Sequence, residues 1–203
     1  MKLVYVCLIF LLSACSHNNS STTNNDSGNL NGQGSGALSG TYVGPCQGNG
    51  TNSQGSSQST AQVSDTQMAF VSKSFAANAC SGTTLMQVQA NFSYVISGVS
   101  AQDATITNLD VTESSISITP LDPSFVSYFN TSSYCGYSDW ALGVAKDVDN
   151  NSCMSGFKPG TVMYTSAKIG NNQIQWAQPD STNNGTTPNL RETAISPDVY
   201  TKQ

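Results

Sequence analysis

Few residues of this 203-residue chain could take part in catalysis. Its single histidine, His17, lies near the N-terminus, so residues 38–203 contain none. Catalytic triads and dyads use histidine as the general base, and zinc sites commonly use it as a ligand. We therefore expect a non-enzymatic domain with no catalytic residue, no metal and no cofactor.

One group of oxygen-bearing side chains resembles the start of a calcium-binding loop. Asp147, Asp149 and Asn151 alternate along the chain. However, Ser152 and Lys158 occupy the sixth and twelfth positions, where an EF-hand requires glycine and glutamate. We expect a solvated turn, with an irregular calcium site as the alternative.

Three other carboxylates are weaker candidates for acid–base chemistry or sugar binding. Asp110 and Glu113 lie close together in sequence, and Asp139 precedes Trp140. The expectation for each is an exposed carboxylate in a turn.

Four cysteines remain beyond residue 15: Cys46, Cys80, Cys135 and Cys153. An even number in an exported protein is typical of disulfides, and the spacing does not fit a redox or zinc Cys-x-x-Cys motif. Three pairings are possible. We favour the pairing of nearest neighbours, Cys46 with Cys80 and Cys135 with Cys153.

The elements that would carry these residues are mostly strands. Apolar residues occupy every second position from Met86 to Ile96, which predicts a strand with one buried face. Weaker patterns predict further strands, and residues 170–172 resemble a hairpin turn. Gln47–Thr60 is so polar that we expect an exposed loop there. The remaining predicted strands are 63–70, 105–111, 115–119, 162–169 and 173–177. The pattern indicates an all-β domain, either an antiparallel barrel or a β-sandwich.

Aromatic residues are concentrated in the turn-rich region 120–155, where Phe125–Tyr128 could form a short helical turn. Tyr137 and Trp140 lie beside Cys135, so a disulfide could hold them in a rigid contact surface. The alternative is that these rings fill one end of the core.

The composition excludes some classes of partner. Only 9% of residues are charged, and the formal net charge is -5. Nucleic-acid binding requires clustered lysine and arginine, which this chain lacks. We therefore expect no nucleic-acid partner.

The N-terminus has the pattern of an export signal. Lys2 precedes a short apolar run that ends at Leu12-Ser13-Ala14-Cys15. This ending resembles the lipobox of bacterial lipoproteins. The resemblance implies cleavage before Cys15, which would carry thioether-linked diacylglycerol and an amide-linked acyl chain such as palmitate. Ser16 in place of aspartate implies the outer membrane in a Gram-negative cell.

A second resemblance covers residues 38–203. Gly40-Thr41-Tyr42 is similar to the Gly-x-Trp opening of lipocalin-like lipoproteins. This resemblance implies a barrel in which Arg191 packs over Tyr42. It also implies a small apolar ligand in the interior, beside Phe92 and Tyr94.

Together these features predict a signal peptide (1–14), a lipidated flexible tether (15–37) and one all-β domain (38–203). The expected function is that of a membrane-anchored envelope lipoprotein that binds a small apolar ligand or an envelope component. The alternative is an adhesion or protein-interaction module that acts through the aromatic residues of 120–155.

Overall fold

The computed structural model describes residues 38–48, 55–101, 103–149, 151–154 and 156–203. The predicted signal peptide, Cys15 and the tether lie outside these residues. The described residues form one α-helix, α1 (Pro123–Ser132), and strands with the following bounds: β1 Gly40–Val43, β2 Gln47–Gly48, β3 Ser56–Val63, β4 Gln67–Phe75, β5 Thr84–Val99, β6 Ile106–Pro120, β7 Lys146–Asp147, β8 Val162–Gly170, β9 Gln173–Gln178, β10 Ala194–Ile195 and β11 Tyr200–Lys202.

Eight of the strands close into an antiparallel barrel. Their order around the ring is β1, β3, β4, β5, β6, β8, β9, β11 and back to β1. The ring closes at β1, where Tyr42 pairs with Ala61 of β3 on one edge and with Lys202 of β11 on the other. Each long strand pairs with the next long strand along the chain, which is the up-and-down arrangement. The predicted all-β barrel is therefore confirmed, and the sandwich alternative is excluded.

Strand β5 has the buried face that its alternating sequence predicts. The side chains at the even positions from Met86 to Tyr94 are buried, whereas the odd positions between them carry Gln, Asn and Ser. Because side chains alternate across a strand, this pattern directs every second residue into the barrel. Neighbouring strands complete the core with Ala61, Leu109, Val111, Ile116, Ile118, Ala167 and Ile174.

A β-bulge joins two predicted strands into one. Phe92 of β5 pairs with Glu113, but Asn91 pairs with Ser115, so Ser114 is an extra residue on β6. A bulge shifts the alternation by one position. Consequently, the buried positions change from odd numbers up to Glu113 to even numbers from Ile116 onward. The sequence predicted separate strands at 105–111 and 115–119 because three polar residues lie at this junction.

The predicted loop at Gln47–Thr60 is wrong at its C-terminal end. Residues 56–60 belong to β3, and Ser59 pairs with Ser72 of β4. The predicted strand at 63–70 is instead the turn between β3 and β4 together with the start of β4. Small serine and threonine side chains give little apolar periodicity, so pairing with β4 rather than local sequence determines this strand.

Helix α1 is longer than the turn predicted at Phe125–Tyr128. It begins after Asp122, whose carboxylate accepts a hydrogen bond from the Ser124 backbone N–H at 2.8 Å. Pro123 fits the first turn because its missing N–H would have no helical acceptor there. The helix ends at Ser132, and the next residue, Ser133, has a left-handed conformation (φ 47°).

Two disulfides connect the segments around the barrel. Cys46 bonds to Cys80, and Cys135 bonds to Cys153, which is the nearest-neighbour pairing expected from the sequence. The first joins the end of β1 to the connection between β4 and β5. The second joins the two sides of the region that follows α1.

The two ends of the barrel differ in what covers them. At one end, Leu38 leads into β1, and the Ser39 hydroxyl donates a hydrogen bond to Asp65 in the β3–β4 turn at 3.0 Å. We call this the N-terminal end because the described part of the chain enters the barrel here. At the opposite end, Pro120 pairs with Met86, and α1 follows directly. We call this the cap end.

The last strand of the barrel is interrupted. Strands β10 and β11 both pair with the edge of β9 that lies opposite β8. Pro197 lies between them and has no N–H for a strand hydrogen bond. The closing strand is therefore two short pieces, of which only β11 also pairs with β1.

Candidate functional site

The predicted interior ligand site is occupied by the protein's own side chains. Phe92 is 1% exposed, and its ring packs edge-on against Phe70 and Phe157, with centroid distances of 6.0 and 5.8 Å. Tyr94 is also buried, and its hydroxyl donates to the Ser64 carbonyl oxygen at 2.6 Å. An eight-stranded barrel is just wide enough for side chains to fill it. Both residues therefore serve the core, and ligand binding at this position stays a prediction.

The interior is polar along β3 and β4 toward the cap end. Ser57 and Ser59 of β3 are buried, and the hydroxyls of Ser59 and Ser72 lie 2.6 Å apart. Tyr200 hydrogen-bonds to Ser59, but burial has the larger effect and raises the pKa of the tyrosine. A fatty ligand in this half of the barrel would cover hydroxyl groups at an energetic cost. The buried serines therefore disfavour an apolar binding cavity on this side of the barrel.

The aromatic residues near α1 form a compact cluster, which we call the aromatic cap. Phe129 lies at its centre, stacked on Tyr134 at 4.4 Å and in contact with Trp140 at 5.0 Å. The members of the cap are Phe125, Tyr128, Phe129, Tyr134, Tyr137 and Trp140. Most of its aromatic surface is used internally, so the cap closes one end of the core.

Tyr137 and Trp140, the two predicted contact residues, have different roles in the cap. Trp140 is buried, and its indole N–H donates to the Tyr134 carbonyl oxygen at 3.1 Å. Tyr137 is half-buried; the Lys146 ammonium lies 5.0 Å from its ring centroid, and its hydroxyl donates to the Asp147 carbonyl oxygen. Of these two residues, only Tyr137 has a polar group near the surface.

The expectation that Asp110 and Glu113 are exposed turn carboxylates is wrong. Both lie on β6, which the sequence could not show to be continuous. Asp110 forms a 2.7 Å ion pair with Arg191, and Glu113 is only 3% exposed. Asp139 is exposed as expected and pairs with Lys146 at 2.9 Å.

Glu113 links the bulge in β6 to the segment that precedes β8. Its carboxylate accepts a hydrogen bond from the Lys158 backbone N–H at 2.6 Å, and its own N–H donates to the Thr161 carbonyl oxygen. Burial raises the pKa of Glu113, and the hydrogen bond from Lys158 opposes this only in part. On this edge of β6, residues 106–112 pair with β8 and residues 117–118 pair with β7. The Glu113 carboxylate lies between these two stretches and supplies a hydrogen bond where no strand pairs with β6.

We expect the substitution Glu113→Gln to stabilise the protein at neutral pH. Glutamine keeps an acceptor for the Lys158 N–H but carries no charge to be desolvated. Because the folded pKa is raised above the unfolded one, the folded state binds more protons. Wild-type stability should therefore fall as pH rises from the ordinary glutamate range through the raised pKa, then level off. Denaturant unfolding across this range should show the advantage of Glu113→Gln disappearing at low pH.

Asp139→Asn is the matched control for this prediction. Its hydrogen bond and charge interaction with Lys146 lower the pKa of Asp139, so its contribution should have the opposite sign and be lost as pH falls. If both variants shift stability in the same direction at neutral pH, the buried-carboxylate explanation for Glu113 is wrong.

The calcium-like sequence at Asp147–Asn151 has structural roles at Asp149 and at Asn151, whose side-chain amide donates to the Cys135 carbonyl oxygen. Asp149 accepts a hydrogen bond from the Ile116 backbone N–H at 2.6 Å, whereas Asp147 lies on the exposed strand β7. Asn150 lies outside the described residues. Among the residues that the structure describes, no three His, Cys, Asp or Glu side chains come together as metal ligands would.

The Arg191 guanidinium donates four hydrogen bonds, and its predicted contact is wrong. Its guanidinium lies 5.5 Å from the ring of Tyr164, not over Tyr42, which instead faces the Lys202 ammonium at 5.7 Å. It donates to the carbonyl oxygens of Leu109 and Thr165 at 2.7 and 2.9 Å. Arg191 therefore links the 179–193 segment to the paired strands β6 and β8.

A polar cleft lies beside Arg191, and the sequence did not indicate it. One wall is the tip of the β5–β6 hairpin, and the other is the segment that precedes β10. The cleft has a volume of about 230 Å³ and is lined by Ser100, Ala101, Asn108, Asn183, Pro188, Asn189, Arg191 and Thr193. Its walls are far apart in sequence, so no local motif could have predicted it.

A second, shallower depression of about 430 Å³ follows the outer face of β1, β3 and β4. Its lining includes Gln62, Gln67 and Asn91. This depression lies on the wall of the barrel and is lined mostly by strand residues.

No protein-family model and no curated protein sequence matches this chain. Within the described residues, no helix is long and apolar enough to cross a membrane.

Proposed function

We propose that this protein is a lipid-anchored lipoprotein of the bacterial cell envelope whose barrel domain binds an envelope component without catalysing a reaction. The observation that carries this proposal is Leu12-Ser13-Ala14-Cys15 after a short apolar run. Two acyl chains or more hold a protein firmly on a bilayer, because each buried CH₂ contributes about 0.8 kcal/mol. The outer membrane is the proposed location in a Gram-negative cell.

The fold supports an exported, non-catalytic role. Two disulfides are typical of proteins that fold in oxidising compartments. The carboxylates Asp110, Glu113 and Asp139 are each engaged in separate structural contacts. Since side chains fill the barrel, the surface is better suited to recognition than the interior.

Substitution of Cys15 tests the anchor. We expect Cys15→Ala to abolish incorporation of radiolabelled palmitate and to move the protein out of the membrane fraction. Cys7→Ala is the matched control, because Cys7 lies within the predicted signal peptide and should change neither result. Labelling and membrane association that persist in Cys15→Ala would contradict the proposal.

A second candidate is a protein-interaction module at the cap end. Tyr128 of the aromatic cap is 50% exposed, and Leu142 and Val144 in the following loop are similarly exposed. The cap also lies at the opposite end of the barrel from the N-terminal end. Loss of partner or surface binding in Tyr128→Ser, with Val162→Ser on β8 as an exposed control, would favour this candidate.

A further inference from the structure

We propose that the cleft between the β5–β6 hairpin and the 183–193 segment binds one neutral sugar ring of an envelope glycan. The proposal deepens the proposed function by naming the class of ligand, and it rests on that function only for the source of the glycan. Its direct support is the shape of the cleft, the rigidity of its walls and the chemistry of its lining.

The wall formed by the 183–193 segment is held firmly against β8. The Tyr164 N–H donates to the Gly185 carbonyl oxygen at 2.9 Å, and the Glu192 N–H donates back to the Tyr164 carbonyl oxygen at 3.0 Å. Gly185 has a φ of +72°, and a Cβ there would lie 3.2 Å from the Tyr164 carbonyl oxygen. Both its conformation and the close approach therefore require glycine.

Arg191 holds the floor of the cleft. In addition to its two carbonyl acceptors, it donates to Asp110 at 2.7 Å and to Ser97 at 3.2 Å. This arrangement attaches the segment to β5, β6 and β8 at once. The cleft is therefore largely preformed, which lowers the entropic cost of binding a ligand.

The opposite wall is ordered by Asn108. Its amide donates to the Val99 carbonyl oxygen at 3.2 Å and accepts from the Ser166 hydroxyl at 3.1 Å. These bonds fix the base of the hairpin next to the cleft. The Asn189 side chain on the other wall is exposed, and no described residue hydrogen-bonds to its amide.

The lining chemistry selects a neutral polyhydroxylated ligand. The Asn183 amide donates to Asp180 and Thr193 at 3.5 Å, but no described residue donates to its oxygen, and the Asn189 amide is unbonded among the described residues. The lining therefore keeps both donors and acceptors for a ligand, as sugar hydroxyls require.

Ala101 and Pro188 supply the apolar contact in the lining, too little for a lipid chain. Arg191 is neutralised by Asp110, and the chain carries a net charge of -5, so an anion is disfavoured.

The size of the cleft limits the ligand to a single ring. Its volume of about 230 Å³ is below the roughly 300 Å³ at which pockets for drug-sized ligands begin. Because the cleft is open on one side, the rest of a glycan chain can extend into solvent from the bound ring.

The test is calorimetric titration of the purified full chain in detergent with N-acetylglucosamine and with glucose. We expect millimolar binding of at least one sugar. Asn189→Ala should weaken it by about three- to tenfold, the effect of one lost hydrogen bond. Ala101→Trp should abolish it by filling the cleft from the exposed hairpin tip. Asn171→Ala in the β8–β9 turn is the matched control and should bind like the wild type.

Purified peptidoglycan fragments and outer-membrane glycolipid, titrated in parallel, distinguish the two sources of such a ring. If none of these probes binds, the proposal is overturned. It is also overturned if both cleft variants bind as tightly as the wild type. Failure of the Cys15 experiment would remove the envelope anchor without changing these titrations, so the two proposals fail separately.

Discussion

Replacement of Phe92 with alanine is expected to lower the free energy of unfolding by about 3–5 kcal/mol. Phe92 is almost completely buried and packs between Phe70 on β4 and Phe157 on the segment before β8. Removing its ring leaves a cavity that three separate parts of the chain would have to close. Denaturant unfolding of the full chain, followed by circular dichroism, measures the loss.

Val95→Ala is the matched control because Val95 lies on the same strand and is 66% exposed. It should change stability by no more than about 0.5 kcal/mol. The comparison also tests the predicted interior ligand site. If Phe92 lined an open cavity, its truncation would cost little stability but would alter binding of a hydrophobic dye. That result would contradict a barrel filled by its own side chains.

Removal of the Cys135–Cys153 disulfide is expected to cost about 3 kcal/mol. The bond closes a loop whose ends are 18 residues apart in sequence, and the chain-entropy model gives this value for a loop of that size. The double substitution Cys135→Ala and Cys153→Ala avoids an unpaired buried thiol. We also expect a red shift in tryptophan fluorescence, because the Trp140 indole N–H donates to the carbonyl oxygen of Tyr134, the residue that precedes Cys135.

The Cys46–Cys80 disulfide provides the comparison. Its cysteines are 34 residues apart, so its removal should cost slightly more, about 4 kcal/mol. It should leave the fluorescence of Trp140 unchanged because it lies outside the aromatic cap. Equal fluorescence changes in the two double variants would contradict a local role for Cys135–Cys153.

The fold class could be predicted because β5 is long and alternates between apolar and polar residues from Met86 to Tyr94. Its apolar positions recur with the period of a strand, and that signal depends only on local sequence. The residues 56–60 of β3 gave no such signal, because a row of serines and threonines is equally typical of a loop. The bulge at Ser114 could not be predicted because the residues around it are also polar.

The candidate sites could be predicted much less well. Arg191 reaches Leu109, 82 residues earlier in the chain, and Glu113 reaches Lys158, 45 residues later. Such contacts depend on strand order and register, which the periodicity of one segment does not determine. The disulfide pairing was easier to predict, since neighbouring cysteines gave short loops.

The closure of the barrel at β1 has a consequence for how the chain reaches this state. Tyr42 pairs with Lys202, and 202 − 42 = 160 residues separate them. Contacts so distant in sequence form slowly. Until residues 200–202 dock, β1 and β9 each present an unpaired edge that another chain could extend. A newly made molecule is therefore prone to edge-to-edge aggregation until β11 has paired with β1 and β9.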